Sequence, residues 1–588
     1  MHNEPIVIIG AGPAGLASAY EFIKGGIRPT VLERADKVGG IARTETYKGY
    51  YFDIGGHRFF TKIQKINQLW QEMLGKEFLK VSRISRIYYR GRFFDYPLGV
   101  VNALSNLGVI ESMLIVLSYL KAQVLSHREE ETFEQWVSNR FGRRLYQTFF
   151  QTYTEKVWGT PCHKIKADWA AQRIKGLSLV VAVSNALFGI QKAKSLIREF
   201  YYPSRGPGMM WHGFQEAVEA GGGQVRLNVE AVSLKHENGR IVSVSCIEGD
   251  KTVTIPVGQL ISSMPITRLV AMLDPKAPDR VLEAASRLSY RAFVIVGLIV
   301  DKKDLFPDQW IYVHGPDVRV GRIQNFKNWS AAMVPDPQKT SVGMEYFCNE
   351  GDEIWTMSDA ELTDLASREL SELGLAEIDD VVDGFVVRQP KAYPVYDHEY
   401  DEHLKVIRDF LPTIDNLQPI GRNGMHRYNN MDHSMITGML AAQNALGANH
   451  DLWKVGEKEE YLEEDEKATA EKLVTEKVLE QTFARIDKLA FATAVGSVSG
   501  LLFFLATIWL LVKGGDVVGP TLRLLGQFFV GYTVTVEGAF IAFGYSFVCS
   551  FLFGWLFAYL RNLFLALYIY RVKRRAELLS LRDFFDHL

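Results

Sequence analysis

The sequence predicts an α/β fold with a doubly wound parallel sheet, followed by two helices long enough to cross a membrane. Three observations support this prediction: a strand, a glycine turn and a helix at the start of the chain, further strands along its middle, and two uncharged segments near its end. The chain has 588 residues, which is too many for one compact core, so we expect two or three domains.

The first pattern is a dinucleotide-binding signature in residues 5–33. The apolar run Ile6–Ile9 has the length and β-branching of a buried parallel strand. Three glycines follow in G-x-G-x-x-G spacing, and the helix after them would point its N-terminus at a pyrophosphate. Glu33 ends a second apolar strand and is placed to accept a ribose hydroxyl. The predicted cofactor contacts in this segment are Gly10, Gly12, Pro13, Ala14, Gly15, Glu33 and Arg34.

A second glycine pair, Gly39-Gly40, and Arg43 follow the ribose acid directly, and Gly55-Gly56-His57 lies further on. An NAD-dependent enzyme needs neither feature. The arrangement resembles the start of the glutathione-reductase-type flavoproteins, which include amine oxidases, phytoene desaturases, protoporphyrinogen oxidase and UDP-galactopyranose mutase. The resemblance implies FAD, a Rossmann FAD-binding domain, and an inserted substrate domain with a helical cap and a mixed sheet. It adds as cofactor contacts Gly39, Gly40, Arg43, Gly56, His57, Val232, Gly421, Arg422 and Met431.

Composition argues against several other classes. A formal net charge of −2 with 23% charged residues argues against a nucleic-acid-binding protein, which usually carries a basic excess. The four cysteines are widely spaced and form no C-x-x-C pair, so we expect neither a disulfide framework nor a metal site. The chain begins directly with a strand and shows no cleavable signal, which predicts that the flavin domain stays in the cytoplasm.

The end of the chain predicts a transmembrane hairpin. Residues 489–512 and 539–560 carry no charge, and each run is long enough to cross a hydrocarbon core of about 30 Å. Basic residues at 571–575 follow the second run, so the positive-inside rule places that end in the cytoplasm. We therefore expect an integral protein of the bacterial cytoplasmic membrane, with the FAD domain on the cytoplasmic side. The alternative is two buried helices of a soluble domain.

These patterns divide the chain into three parts, bounded at residues 455 and 487. The predicted parts are a catalytic domain at 1–455 (flavin parts about 1–80, 215–270 and 410–450; substrate parts about 81–214 and 271–409), a charged helical linker at 456–487, and a membrane domain at 488–588. Within the first part, we predict a helix over 63–80, a hairpin over 81–94, cap helices over 98–150, and strands over 225–232, 253–264, 293–300, 310–313 and 342–348. The segment 514–537 suits a loop or an interfacial helix.

The resemblance becomes narrower at Tyr153-Thr-Glu-Lys-Val-Trp158-Gly159, which is similar to a run in the UDP-galactopyranose mutase family. In that family the Tyr stacks on the uracil and the Trp lines the sugar pocket. Similar matches occur at Arg322-Ile-Gln-Asn-Phe-Lys327, Tyr393-Pro-Val395 and Gly421-Arg422. The resemblance implies catalytic roles for Arg322, His57, Trp158 and Arg173, and substrate binding by Tyr153, Tyr393, Tyr396, Tyr428 and Asn429.

Two departures from the mutase pattern concern the phosphates. The family's Tyr-Tyr-Asp is Tyr428-Asn429-Asn430 here, and its second essential Arg falls near Gly176, with Arg173 as the nearest candidate. Two contacts to a nucleotide diphosphate are therefore missing. A polyprenyl phosphate carries one phosphate and a tail that belongs in a bilayer, so the departures and the hairpin both favour a lipid-linked sugar.

We therefore expect a mutase that interconverts the pyranose and furanose forms of a phosphate-linked hexose, with galactose as first choice, for cell-surface glycan synthesis. The family's chemistry uses N5 of the reduced flavin at the anomeric carbon, and Arg322 would bind the leaving phosphate. Expected partners are the lipid-linked sugar and membrane lipid, with a homo-oligomer left open. The alternatives are an FAD oxidoreductase acting on a lipophilic substrate, and a membrane scaffold with a vestigial site. Arg322 as a surface residue, Tyr153 and Trp158 as core aromatics, and a backbone-only role for His57 also stay open.

Overall fold

The computed structural model describes residues 4–96, 100–124, 130–167, 199–455, 487–514 and 519–585. The chain divides into two compact units, residues 1–468 and 469–588. Arg173 and nearly all of the charged segment 456–487 lie outside the described residues, so the predictions made for them stay predictions.

The first unit contains all the described strands. In chain order they are β1 Ile6–Ile9, β2 Thr30–Leu32, β3 Thr44–Tyr47, β4 Tyr50–Asp53, β5 Phe78–Ser82, β6 Ser85–Tyr89, β7 Arg92–Asp95, β8 Glu199–Pro203, β9 Gln224–Arg226, β10 Val229–Glu237, β11 Arg240–Glu248, β12 Lys251–Pro256, β13 Gln259–Ser262, β14 Leu273–Asp274, β15 Tyr290–Val300, β16 Trp310–Val313, β17 Arg322–Asn325, β18 Thr340–Cys348, β19 Val381–Pro394 and β20 Leu417–Pro419.

Helices of six or more residues cover these strands. In the first unit they are α1 Pro13–Lys24, α2 Gln64–Leu74, α3 Val100–Leu107, α4 Val109–Val124, α5 Phe133–Phe141, α6 Thr152–Trp158, α7 Gly208–Ala220, α8 Ile266–Ala271, α9 Asp279–Arg287, α10 Asp359–Glu372, α11 Tyr400–Phe410 and α12 Met431–Ala445. A π-helical segment, Tyr146–Gln151, leads directly into α6. The second unit contains α13 Lys488–Lys513 and α14 Val536–Phe585.

A five-stranded parallel sheet, ordered β20-β13-β1-β2-β9, positions the glycine turn. All four residues of β1 are buried, and their side chains alternate between two cores. Ile6 and Ile8 belong to the core formed with α1, α7 and α12, whereas Val7 and Ile9 belong to the core formed with β10, β11, α8 and α9. This burial on both faces explains why β1 reads as a continuous apolar run.

Several predicted elements have different bounds in the structure. The strand predicted over 225–232 is two strands, β9 and β10, and the one predicted over 253–264 is also two, β12 and β13. The predicted helix over 63–80 ends at Leu74, because Gly75 follows with a backbone conformation that a helix cannot continue and β5 then begins. The hairpin β6–β7 forms as predicted, around Arg90 and Gly91.

The second sheet has seven strands in the order β19-β15-β18-β17-β16-β6-β7. Its pairs are antiparallel except for β16 with β6. The helix α10 begins with a capping box of Ser358 and Glu361 and packs on β15 and β19. This sheet places β16, β17 and the end of β19 beside the turn at Gly55-Gly56.

The predicted cap is present as α3, α4, α5 and α6. Thr132 and Gln135 form a capping box that starts α5, and Gly142 ends it. A Cβ at Gly142 would lie 2.7 Å from the backbone nitrogen of Tyr119, so the missing side chain lets α4 pack against the end of α5. Arg144 also donates to the Glu111 carboxylate at 2.6 and 2.8 Å. These contacts hold α4 against the end of α5 and the residues that follow it.

The second unit is a pair of packed apolar helices. Lys488–Lys513 has a mean hydropathy of 2.2 and Val536–Leu563 one of 1.8, and both are long enough to cross a membrane. A Cβ at Gly496 would lie 2.9 Å from the Phe547 carbonyl oxygen, and glycine therefore permits the close helix approach. The helix predicted over 539–560 is longer than expected, since α14 extends from Val536 to Phe585. A short helix, Pro520–Arg523, lies between α13 and α14.

Candidate functional site

A cavity of about 1230 Å³ runs through the first unit, from the glycine turn after β1 to the cap. Its lining brings together most of the residues predicted from the sequence: Gly10, Gly12, Pro13, Ala14, Glu33, Arg34, Gly40, Arg43, Gly56, His57, Tyr153, Trp158, Arg322, Tyr393, Gly421, Arg422, Tyr428, Asn429 and Met431. Four predicted residues are outside this lining, namely Gly15, Gly39, Val232 and Tyr396. The cavity volume suits a small-molecule site.

The turn after β1 depends on two glycines for different reasons. Gly10 has φ +97°, a conformation that favours glycine. Gly15 does not face the cavity; a Cβ there would lie 1.9 Å from the carbonyl oxygen of Gly10. Gly15 therefore lets α1 approach the strand, and the first turn of α1 is left facing the cavity at Pro13 and Ala14.

Glu33 lies at the end of β2, as predicted, with 9% of its surface exposed. One carboxylate oxygen accepts the backbone N–H of Ala11 at 2.8 Å and the other accepts that of Ala35 at 3.0 Å. Each carboxylate oxygen can accept a further hydrogen bond. Glu33 is thus fixed at the wall of the cavity with acceptor capacity left for a ribose hydroxyl.

Arg43 bonds to the second glycine pair through Gly40. Its guanidinium donates to the Gly40 carbonyl at 2.8 Å, to the Glu45 carboxylate at 2.7 Å and to the Gln389 side chain at 3.0 Å. Gly39 is outside the lining because it packs on Trp211, and a Cβ there would lie 2.8 Å from that ring.

Val232 is outside the cavity lining, whereas the three residues before it, Val229, Glu230 and Ala231, are part of it. The cofactor contact predicted for Val232 stays a prediction. A register shift in the β10–β11 pair lies between Ala231 and Ser233, where sequence pattern is a poor guide to which face a residue occupies.

Arg322 lies against the turn at Gly55-Gly56, not at the protein surface. A Cβ at Gly55 would lie 3.7 Å from Nη2 of Arg322, and a Cβ at Gly56 would lie 3.9 Å from its Cζ. The alternative of a solvated strand residue is therefore wrong, since only 17% of the Arg322 side chain is exposed.

A buried carboxylate that sequence reasoning missed, Glu345, holds this arginine. Glu345 is fully buried, and its Oε2 accepts from Nε of Arg322 at 2.9 Å and from Nη2 at 2.5 Å. Its Oε1 accepts from the Gln324 side chain at 2.5 Å. Nη1 of Arg322 takes no part in these bonds. Burial alone would lower the pKa of Arg322, but Glu345 outweighs it and keeps this pKa above the ordinary value. The sequence signal that could have identified Glu345 is its position as a single glutamate within an otherwise mostly apolar strand.

His57 follows the same turn and is neutral. Its Nδ1 lies 3.1 Å from the Gly55 carbonyl oxygen. Burial, together with the positive charges of Arg422 and Arg322, lowers the pKa of His57 to about 3. The imidazole therefore carries no charge at neutral pH, and His57 is one of the residues that line the cavity.

Aromatic residues from three elements meet Arg422 beside His57. Tyr393 and Tyr428 stack with ring centroids 5.7 Å apart, and the Arg422 guanidinium lies 4.6 Å from the Tyr428 centroid. The Arg422 Nε donates to the Asn429 carbonyl at 2.9 Å. Tyr396 acts behind the lining, because its hydroxyl accepts the backbone N–H of Tyr428 at 2.6 Å. Trp158 belongs both to the cap core and to the cavity wall.

Tyr153 is covered on one face by a second residue that sequence reasoning missed. The His314 ring stacks on it with a centroid distance of 4.6 Å and an interplanar angle of 15°. Tyr312 meets it edge-on at 5.5 Å. Tyr312 lies in β16, and His314 follows that strand directly. The sequence predicted this strand but indicated no functional role for it.

We expect His314 to make stability fall at low pH. Burial and the nearby Lys156 lower the pKa of His314 to about 3 in the folded chain, against an ordinary value of 6.5. Between these values the unfolded chain binds a proton that the folded chain does not, so unfolding becomes easier as pH falls. Replacing His314 with Gln should flatten this dependence by up to about 1.4 kcal/mol per pH unit.

The measurement is the unfolding of the full chain in detergent at pH 5, 6 and 7, for the native and variant proteins. His57 and His426 act in the same direction, whereas Asp53, whose pKa burial raises to about 7, acts in the opposite one. These groups are the same in both proteins, so their contributions cancel when the pH dependence of the unfolding free energy is compared between native and variant. Equal slopes would contradict the prediction.

Among the described residues, no group of three or more His, Cys, Asp or Glu side chains is placed to hold a metal ion. The chemistry that these residues favour is the binding of a dinucleotide at one end of the cavity and of an anion at the arginines.

A sequence profile then decides the family. The profile of flavin-containing amine oxidoreductases matches residues 13–446, about three quarters of the chain. The chain belongs to this family. The matched region begins just after Gly12 and includes Gly15, Glu33 and all the described cavity residues from Pro13 onward.

Curated relatives match over shorter segments. L-amino-acid oxidase of Crotalus adamanteus is 38% identical over 81 residues, which are 14% of this chain and 15% of the oxidase. "Probable UDP-galactopyranose mutase" of Klebsiella pneumoniae is 26% identical over 182 residues, which are 29% of this chain and 44% of the mutase. This amine oxidoreductase family member thus aligns with less than half the length of either relative.

Solved structures match over about three quarters of the chain. A reduced UDP-galactopyranose mutase superposes with a TM-score of 0.69 at 21% identity, covering 77% of this chain and 98% of the mutase. A structure described as "Putative protoporphyrinogen oxidase" from Exiguobacterium gives a TM-score of 0.58 at 16% identity, covering 76% of this chain and 100% of the oxidase. At these identities the likeness establishes a shared α/β flavoprotein fold with mixed sheets.

The residues of the site fit the flavin that the family implies. The glycine turn leaves room for a phosphate group at the start of α1, and Glu33 retains acceptor capacity for a ribose. Gly55-Gly56 and Arg422 line the cavity further along. These residues would hold the nucleotide and the ring system respectively.

We expect replacing Gly15 with Ala to abolish flavin binding, because the new Cβ would lie 1.9 Å from the Gly10 carbonyl oxygen and would push α1 away from the turn. The flavin content of the purified protein, read from its visible absorbance, should fall at least about tenfold. The matched control is Gly213→Ala, where the nearest atom to the new Cβ, the Met73 carbonyl oxygen, is 3.8 Å away. Normal flavin content in the Gly15 variant would contradict the prediction.

Proposed function

We propose that this protein is a membrane-bound, flavin-dependent sugar mutase. Its substrate would be a hexose linked through a phosphate to a polyprenyl carrier, with galactose as the first candidate. The enzyme would interconvert the pyranose and furanose forms of this sugar, for cell-surface glycan synthesis. Its cofactor would be FAD in the reduced state, bound by a Rossmann domain of the glutathione-reductase type.

The observation that carries this proposal is Arg322, held by the buried Glu345 beside the Gly55-Gly56 turn. Two of its donors are used by Glu345, so the guanidinium is fixed in orientation before any substrate binds. Neither N–H of Nη1 is used by Glu345, and Nη1 can bind a phosphate oxygen as negative charge develops on the leaving group. A preorganised donor of this kind stabilises the transition state without reorganisation.

The charges of the site favour an anionic substrate over an amine. Arg422 adds a second guanidinium near His57, and His57 itself is neutral. Glu345 offsets the charge of Arg322, so the positive charge of Arg422 would repel a protonated amine and attract a phosphate. This supports sugar-phosphate chemistry over the amine oxidation named in the family description.

When bound and reduced, the flavin would supply the nucleophilic nitrogen that takes the sugar from its phosphate. The residues of this chain would do the rest. Arg322 would hold the phosphate, the stacked Tyr393 and Tyr428 would wall the sugar, and Trp158 would close the pocket on the cap side. Burial among these rings excludes water, which strengthens the contact between Arg322 and the phosphate.

Three features support a lipid carrier over a nucleotide. Tyr428-Asn429-Asn430 stands where the mutase pattern has Tyr-Tyr-Asp, so a phosphate-binding phenol is missing. One face of Tyr153, the residue matched to the uracil-stacking Tyr, is already occupied by His314. The apolar helices α13 and α14 would anchor the chain in the membrane where polyprenyl phosphates reside. By the positive-inside rule the FAD domain would lie on the cytoplasmic face of a bacterial membrane.

The test uses the full chain in detergent with its flavin chemically reduced. Polyprenyl-phosphate galactose and UDP-galactose are supplied separately, and each product is analysed for the furanose form. We expect furanose from the lipid-linked substrate alone, with no net consumption of reductant and no product from the oxidised protein. Furanose from UDP-galactose alone would reject the lipid carrier. No furanose from either, with bleaching of the oxidised flavin by a lipophilic reductant, would replace the proposal with an oxidoreductase.

A further inference from the structure

The cavity also has an apolar end within the cap. This end is lined by Ala103 and Leu107 of α3, Ile115 of α4, and Phe149 and Phe150 of the π-helical segment. No charge lies among these residues, and a sugar or a phosphate would gain nothing by entering. The apolar end is therefore unexplained by a site for a hexose phosphate alone.

Tyr312 joins the apolar end to the phosphate-binding end. It lies directly opposite Arg322 in the β16–β17 register, and its ring packs against the cluster that contains Phe149. The same ring meets Tyr153 at 5.5 Å. A ligand whose phosphate contacts Arg322 therefore has an apolar space beginning one residue away, so the cavity suits an amphiphile with a phosphate at its junction.

The helix α4 forms one wall of this end and has a second apolar side that faces outward. Ile115 is 3% exposed, whereas five large apolar residues at helical spacing form an exposed stripe. The stripe consists of Ile110, Met113, Leu114, Leu117 and Leu120.

The stripe is not the result of a loosely packed helix, because Glu111 is paired with Arg144 and the backbone at Tyr119 packs on Gly142. Val116, which is 43% exposed, also lines the cavity. The helix α4 therefore contributes both to the cavity wall and to the exposed stripe.

We propose that the apolar end of the cavity binds the first isoprene units of the substrate's carrier, which enter beside α4. The proposal rests on the proposed function for the identity of the phosphate-linked substrate. A fixed anion site and an apolar space adjoin across Tyr312, and the outer side of α4 offers the surface that a lipid chain requires. The chain would thus be selected by burial and the headgroup by charge.

The test measures affinity for phosphate monoesters of increasing prenyl length, using the full chain in detergent and its tryptophan fluorescence. The probes are dimethylallyl phosphate, geranyl phosphate and, without the charge, geraniol. Geranyl phosphate should bind at least about tenfold more tightly than dimethylallyl phosphate, since it buries five more carbons. Geraniol should bind more weakly than geranyl phosphate, which separates a phosphate-anchored chain from a general apolar sink. Equal affinity for the two phosphates would overturn the proposal.

A pair of variants on α3 locates the effect. Ala103→Phe should fill the apolar end and lower the affinity for geranyl phosphate to that for dimethylallyl phosphate. The affinity for dimethylallyl phosphate should not change. Ser105→Phe adds a larger volume on the exposed side of the same helix and should change neither. Equal effects of the two variants would overturn the location. The native chain-length series stands by itself if the Ala103 variant does not fold.

The outcomes separate this proposal from the function on which it rests. Chain-length-dependent binding without any furanose product would keep the carrier site and reject the mutase. Furanose formation from lipid-linked galactose, with no dependence of affinity on chain length, would keep the mutase and reject the carrier site.

Discussion

Replacing Arg322 with Lys is expected to lower mutase turnover at least about a hundredfold while flavin stays bound. The guanidinium uses Nε and Nη2 to bond Glu345 and has Nη1 left for the phosphate. A lysine ammonium is a single point charge, so it can satisfy the buried carboxylate or the ligand but cannot hold both in this geometry. Turnover with saturating polyprenyl-phosphate galactose and the flavin absorbance spectrum are the two measurements.

The matched control is Arg319→Lys, three residues earlier on the same segment. Its side chain is 48% exposed and pairs with Glu353, which is 68% exposed, so turnover should change less than about threefold. Near-native turnover by the Arg322 variant, with product confirmed as furanose, would show that the leaving phosphate is held elsewhere. That result would remove the observation on which the proposed function depends.

Replacing Glu345 with Gln is expected to lower the free energy of unfolding by about 3–5 kcal/mol. The carboxylate is fully buried, and its loss would leave the Arg322 charge largely out of water without a partner. The exposed fraction of Arg322 is small enough that solvent cannot replace the missing contact. Chemical denaturation of the full chain in detergent, followed by flavin fluorescence, measures the change.

A double variant separates the charge from the packing. Arg322→Met combined with Glu345→Leu removes both charges and should recover most of the lost stability, although it should be inactive. Recovery in the double variant together with loss in Glu345→Gln identifies an uncompensated buried charge as the cause. A Glu345 variant as stable as the native chain would mean that Arg322 reorients towards water.

The parts of the site that depend on local backbone geometry are predictable from the sequence. Gly10 is required by its positive φ, and Gly15 is required because a Cβ there would clash with the Gly10 carbonyl oxygen. Both requirements follow from the spacing of these glycines after an apolar strand. Glu33 follows from the same motif. Arg322 was reached through a short family resemblance, and the structure places it beside the predicted turn.

The partners of these residues depend on strand register, which the sequence does not specify. Glu345 is 23 residues from Arg322 and faces it only because β17 and β18 pair with those two residues opposite. Tyr312 and His314 reach the site by the same kind of pairing. The helical period of α4 predicts an apolar stripe, but it cannot indicate whether protein or lipid covers that stripe.

The strand order of the parallel sheet has a consequence for how the protein is made. Its edge strand β20 ends at residue 419, about seven tenths of the way along the chain, yet it completes a sheet that begins at residue 6. At typical synthesis rates of 5–20 residues per second, the ribosome needs about 20 to 80 seconds to reach it. Until then one edge of β13 has no partner strand and is open to aggregation. The first apolar helix begins at residue 488, so the parallel sheet is completed shortly before a segment long enough to cross a membrane is synthesised.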